Sequence, residues 1–304
     1  MQSERQHAWP PSSVGGASQL TRVIETQTLT TSRNFTTGVA RSLAASSRER
    51  EPRRAVARVL IVESNQDGTV GGSHQALFDL ATRVDRTRFD PVVLFNENNV
   101  FVDRLRARGV EVILFDDVVA TEKRVNTSAS LFAKLVGFGR AVAIRRRTLH
   151  RMRIDLLHLN NSPGVGSDNW LPAARLVGSP CIVTAMGDSG RPRRSVHRWL
   201  FRRFDLYLAI SEYIAGVLRD HGVDPRKIEL VYLGVDFENL RARVARPTKD
   251  VRKELGVASD QLLAIMVGNI RPWKGQREVI AALRLLPPQV RSRLRFCFAG
   301  AHRG

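Results

Sequence analysis

The chain has 304 residues, 43% of them hydrophobic, and carries 48 Lys plus Arg against 29 Asp plus Glu, a formal net charge of +19. Length and apolar fraction suit two globular domains, and the charge favours partners that bear negative charge, whether nucleotide phosphates, nucleic acid or anionic lipid. The only cysteines, Cys181 and Cys297, sit in apolar runs, which argues against a disulfide framework or zinc site and suits a reducing compartment. Since no apolar run reaches ~18 residues, a membrane-spanning helix is excluded.

Residues 1–55 are rich in Ser, Thr and Arg and show no sustained period. They read as a disordered extension rather than a targeting peptide, because Glu4, Glu25, Glu49 and Glu51 break the basic pattern and no apolar signal core is present. From Arg58 the pattern changes. "RVLIVES" predicts a short strand, "NQDGTVGGS" a glycine-bearing loop, and "HQALFDLATRV" a helix. The alternation continues through the strand-like runs "FDPVVLF", "VEVILF", "IDLLHLN", "PCIVTAM", "FDLYLAIS" and "IELVYLG", which places a first domain at residues 56–236. Polar residues and Pro247 make 237–260 a linker leading into a short helix, and "QLLAIMVG" opens a second series at 261. Strands alternating with helices imply right-handed crossovers and mainly parallel sheets covered on both faces, an α/β architecture of two Rossmann-like, doubly wound domains. By Gly304 the second series has reached only strand, loop, helix and strand, so this domain is expected to be incomplete within these residues.

In open parallel sheets ligands bind beyond the carboxyl ends of the strands, where helix N-termini point N–H groups at an anion. Two loops fall at such ends. One holds Gly71 and Gly72, whose missing Cβ atoms let backbone N–H groups approach a ligand; a turn glycine pair is the plainer alternative. The other lies in "GNIRPWKGQREVIAAL", where Arg271 and Lys274 follow a strand and precede a helix. Both cations would add to the helix dipole and suit a diphosphate leaving group, although solvated charges in a basic protein have the same spacing.

Taken in order, "VGGSHQALFDLA", "IDLLHLNNS", "LYLAISEYIAGVLRDHGVDPRKIELVYLGVD" and "MVGNIRPWKGQREVIAAL" resemble family 4 glycosyltransferases, retaining enzymes of GT-B fold that use nucleotide-activated sugars. The resemblance runs colinearly from about residue 57 to 304. It implies that two Rossmann-like domains face a cleft. It further implies that Gly71, Gly72, Arg271 and Lys274 hold the donor diphosphate, and that His74, Met186, Gly268, Asn269 and Gly275 line the cleft. No metal or other cofactor is expected, since no Asp-x-Asp occurs and the cations would replace a divalent ion. Expected partners are a nucleotide sugar and a glycan or lipid-linked acceptor, in envelope polysaccharide or glycolipid synthesis, with a cytoplasmic or peripheral inner-membrane location.

Two departures from the family pattern stand out. Met186, in "CIVTAMGDSG", occupies the place of the usual histidine near the transferred sugar and can neither donate nor accept a proton. Asp188 follows in the same loop, as a candidate partner of a sugar hydroxyl or as a helix cap. The second departure is the ending at "RLRFCFAGAHRG", beyond which the family continues into the nucleotide pocket and a pair of glutamates. A catalytically incompetent remnant, or a binding module, is therefore the alternative.

Elsewhere the signals are weaker. "GVGSDN" and "GFGRAV" lack the third glycine of a dinucleotide fingerprint. His74, at the start of a helix, and His158, inside "LLHLN", read first as structural residues. Residues 134–203 hold 14 Lys or Arg against 3 Asp. Their stretches "RAVAIRRRTLHRMR" and "RPRRSVHRWLFRRF" suit either a helix on an anionic bilayer or a core helix with a solvated basic face. Nucleic-acid binding is disfavoured, because no recognition signature accompanies the charge and aromatics are only 7%.

Overall fold

Each apolar run named above becomes a strand in the computed structural model, which describes residues 56–65, 70–115, 131–161, 169–187, 199–245 and 250–300. The N-terminal extension proposed for residues 1–55 lies outside them. The chain divides into two compact units at Gly234–Val235.

In the first unit the order is β1 (Ala57–Glu63), α1 (Gly72–Arg83), β2 (Phe89–Phe95), α2 (Val100–Arg106), β3 (Glu111–Leu114) and α3 (Leu131–Arg151). There follow β4 (Leu156–Asn160), α4 (Trp170–Val177), β5 (Cys181–Ala185), β6 (Leu206–Ala209), α5 (Glu212–Asp220) and β7 (Ile228–Leu230). The seven strands form one parallel sheet in the order β3-β2-β1-β4-β5-β6-β7. Successive side chains point to opposite faces, so each strand feeds two cores. Leu60 and Val62 of β1 join Leu157 and Leu159 of β4 against Val142, Leu149, Trp170 and Leu218 from α3, α4 and α5. Val59 and Ile61 join Val93 against Leu77, Phe78 and Ala81 of α1 and Phe101 and Leu105 of α2. Burial on both faces explains why these strands read as continuous apolar runs with no polar alternation.

The paired phrases "IDLL" and "FDLY" do the same structural job at the other end of the sheet. Asp155, just before β4, accepts from Arg58 N at 2.9 Å while its own N–H donates to Arg58 O, also at 2.9 Å. Asp205, just before β6, accepts from Cys181 N at 2.7 Å and donates to Cys181 O at 2.9 Å. Each aspartate closes a ring with the neighbouring strand and fixes its register, while the preceding Ile154 and Phe204 are buried in one core.

The second unit contains α6 (Phe237–Val244), α7 (Val251–Glu254), β8 (Leu262–Val267), a 3-10 turn (Pro272–Lys274), α8 (Gln276–Leu285), α9 (Pro288–Ser292) and β9 (Leu294–Ala299). The stretch expected as a linker is thus helical over 237–244. Asp236 accepts from Asn239 N at 3.0 Å and Glu238 lies in the first turn, an N-terminal signal that the polar composition concealed. β8 and β9 pair in parallel, yet Leu262 and Val267 are 68% and 81% exposed, in contrast to β4, β5 and β6, which are buried throughout. Among the described residues no helix is long and apolar enough to cross a membrane.

Because Leu157 is wholly buried at the centre of the sheet, Leu157→Ala should lower stability by about 2–5 kcal/mol in chemical denaturation. A loss below about 1 kcal/mol would contradict the close packing described for this strand.

Candidate functional site

Strand order points to a location before any side chain is considered. β1 and β4 are neighbours, but the chain leaves β1 towards β2 and leaves β4 towards β5, which makes their carboxyl ends the switch point at which open parallel sheets bind ligands. The two residues that finish these strands, Glu63 and Asn160, are register partners and both are buried. Asn160 Nδ2 donates to Glu63 Oε2 at 2.7 Å and to Ser73 O at 3.1 Å, and Asn65 N donates to Glu63 Oε1 at 3.1 Å. Asn96, just past β2, donates through Nδ2 to Glu63 O at 3.0 Å and to Asn65 O at 2.9 Å. Burial pushes the Glu63 carboxyl above its ordinary value, opposed by hydrogen bonds from Asn160, Asn65, Asn161 and Ser73. Asn161 itself is in the left-handed region, with φ 58°. The sequence reading missed this network. Its only local signals were a carboxylate and a carboxamide closing two apolar runs.

Through Ser73 the network reaches the glycine loop. Gly71 precedes α1 in extended conformation (φ −153°, ψ −162°), and a Cβ on Gly71 or Gly72 would meet nothing within 4 Å. Neither glycine has a positive φ, so no left-handed turn explains them. His74, in the first turn of α1, is 4% exposed and stacks on Phe95 with centroids 5.6 Å apart and planes 4° apart. It lines a shallow pocket with Asn65, Phe95, Asn96, Glu97, Asn98 and Asn99. Met186 follows β5 directly and is half-buried, while Asp188 lies outside the described residues. His158 is a core residue, as its apolar run suggested. Its Nε2 is 2.7 Å from Thr184 Oγ1, and burial drives its pKa down to about 3.

The cationic loop belongs to the second unit. Gly268 N donates to Ala299 O at 2.9 Å, fixing the exit of β8, and Gln276 Nε2 donates to Asn269 O at 3.0 Å, tying the loop to α8. Lys274 N donates to Arg271 O at 3.0 Å across the 3-10 turn, so both cations ride on one turn. Gly275, in the left-handed region at φ 84°, then starts α8 without a side-chain cap. The ten-residue helix therefore presents uncapped N–H groups beside Arg271 and Lys274. Gln276 is buried, and its Oε1 has no hydrogen-bond partner among the described residues. Arg271 also lies 5.9 Å from the Trp273 ring. Gly268, Asn269, Arg271, Lys274 and Gly275 thus share one loop. Among the described residues no cluster of His, Cys, Asp and Glu is placed to hold a metal ion.

Because the folded-state pKa of Glu63 is raised, the contribution of this group is fully present below its unfolded value and is lost as pH rises through the folded value. Glu63→Gln removes that dependence. The Tm of the variant relative to the parent should therefore move in the variant's favour as pH rises from 4 to 8, whatever the constant offset from replacing an acceptor by an amide. A pH-independent difference would contradict the burial of an ionisable group here.

Comparison with known proteins fits this arrangement. The profile of the glycosyl transferase 4-like domain matches residues 71–234, from the glycine loop to the end of the first unit. D-inositol 3-phosphate glycosyltransferase of Geodermatophilus obscurus is 34% identical over 128 residues, covering 40% of this chain and 27% of that protein. The enzyme of the same name from Streptomyces scabiei is 28% identical over 140 residues, covering 45% and 27%. The matched segments thus span about a quarter of those relatives. Among solved structures, a glycosyltransferase from Rickettsia africae superposes with TM-score 0.59 at 15% identity, covering 81% of this chain and 61% of that one. Anabaena HepE, solved with UDP and glucose, gives TM-score 0.55 at 20% identity, covering 79% and 60%. The fold is of GT-B type, and the chain belongs to the glycosyl transferase 4-like domain family.

Proposed function

We propose that this protein is a glycosyltransferase that moves a sugar, with retention, from a nucleoside-diphosphate sugar to a glycan or lipid-linked acceptor in envelope polysaccharide or glycolipid synthesis. The observation that carries this reading is the uncapped N-terminus of α8 with Arg271 and Lys274 on the turn before it. In the transfer, the bond from the anomeric carbon to the diphosphate breaks and its electron pair goes to the phosphate oxygen. The acceptor oxygen bonds to that carbon and gives up its proton. Charge therefore develops on the leaving diphosphate, where two cations and the dipole of α8 stabilise it without a metal. The departing diphosphate takes up the proton that the acceptor releases. The room that the described residues leave for a Cβ on Gly71 and Gly72 supports the approach of a substrate group to the start of α1.

Peripheral membrane attachment is part of the proposal. Leu135, Val136 and Phe138 near the start of α3 are exposed, with Leu135 61% exposed, and Arg140, Arg146, Arg147 and Arg151 are exposed further along the same helix. That combination of apolar and basic side chains suits the surface of an anionic bilayer.

Loss of one charge-assisted contact to phosphate costs about 1.5–3 kcal/mol. Arg271→Ala and Lys274→Ala should therefore each weaken calorimetric affinity for a nucleoside diphosphate roughly 10- to 100-fold while leaving Tm nearly unchanged. Unaltered affinity would remove the diphosphate role. Replacing Leu135, Val136 and Phe138 together by Ser should release the protein from vesicles containing anionic lipid in co-sedimentation, and retention would contradict membrane attachment through α3.

A further inference from the structure

One acidic side chain stands among the cations at the start of α8. Glu278 lies in the first turn of that helix, and a Cβ on Gly275 would lie 3.9 Å from Glu278 Oε2, so the carboxylate leans back towards the residue that opens the helix. Arg271, Lys274, Arg277 and Glu278 therefore fall within one short stretch around a single helix start. At the first helical position Gln276 is 7% exposed, with its Nε2 committed to Asn269 O at 3.0 Å and its Oε1 without a hydrogen-bond partner among the described residues. Buried acceptors left unmet are rare in folded chains. This one lies beyond the carboxyl end of β8, where a parallel sheet takes its ligands, and it fits a turn formed for a ligand more than for stability.

A carboxylate near a helix N-terminus stabilises the helix, yet the same charge opposes any anion bound there. We propose that Glu278 is a specificity-determining residue that grades ligands of this site by charge, weakening binding in step with the negative charge a ligand brings. Arg271 and Lys274 supply the attraction, and Glu278 supplies the repulsive element that selectivity requires. The diphosphate ester of a donor lacks the extra charge that a free nucleoside diphosphate gains once its terminal phosphate has ionised. Glu278 therefore holds the product less tightly, relative to the donor, than the cations alone would. Two unit charges a few ångströms apart in water shift an equilibrium roughly three- to fivefold, and salt reduces the effect. This role rests on the diphosphate reading above.

The test uses the full chain and three anions that carry neither base nor sugar: orthophosphate, pyrophosphate and tripolyphosphate, titrated at low salt and followed through the amide shifts of the first turn of α8. Glu278→Gln should bind pyrophosphate roughly tenfold more tightly than the parent, with a smaller gain for orthophosphate and a larger one for tripolyphosphate. Its Tm should fall slightly, because a carboxylate is lost from a helix start; a merely structural residue would lose stability and affinity together. Asp260→Asn makes the same change in net charge at an exposed position before β8, at the other end of that strand from the turn. It should alter pyrophosphate affinity less than about twofold. Equal gains for the three anions, an equal gain from Asp260→Asn, or no gain from Glu278→Gln overturns the proposal. If pyrophosphate binds the parent and is weakened by Arg271→Ala while Glu278→Gln changes nothing, the role of Glu278 alone falls. If pyrophosphate does not bind the parent, the diphosphate reading falls with it.

Discussion

The hydrogen bond from Asn160 to the buried carboxyl of Glu63 is the contact on which the rest of the first unit's site depends. It joins adjacent strands at the point where their connections part, so it holds together an edge of the sheet that the topology alone would leave open. The second Nδ2 hydrogen of Asn160 reaches Ser73 O and so places the start of α1. Asn96 ties the end of β2 to the same carboxyl residue through its backbone oxygen. Three strands and one helix are thereby fixed by carboxamides around one acid. A buried ionisable group is costly unless hydrogen-bonded, and here that cost is accepted at the edge where a parallel sheet binds its ligands.

The opposite edge uses the same device for another purpose. Asp155 and Asp205 close backbone rings with Arg58 and Cys181 and set register, and Asp205 also pairs with Arg175 at 3.0 Å. Carboxylates at both ends of the sheet thus divide between architecture and site. What separates them is position relative to strand direction.

Most of the fold was legible in the sequence because its signals are local. Runs such as "LLHLN" and "PCIVTAM" are apolar throughout because each strand is covered on both faces, and the glycine loop and cationic loop follow directly from strand-loop-helix order. The linker expectation for 237–260 overlooked a helix at 237–244 whose apolar residues Phe237, Leu240 and Val244 follow helical spacing but stay exposed, with Asp236 and Glu238 marking its start. Glu63 and Asn160 were missed for a different reason. They stand 97 positions apart, and only the strand order 2-1-4-5 makes them neighbours. His74 was singled out for its place beside the glycines, yet its stacking on Phe95 depends on β2 lying next to β1, which no local pattern records.

The central claim is that a diphosphate nucleotide is held by backbone N–H groups at the start of α8. Titration of isotope-labelled protein with a nucleoside diphosphate, followed through amide chemical shifts, addresses it most directly. The account predicts saturable shifts for Gly275, Gln276 and Arg277, much larger than those caused by the parent nucleoside without phosphates. Shifts that leave these three amides unmoved, or that are reproduced in full by the nucleoside, would contradict it.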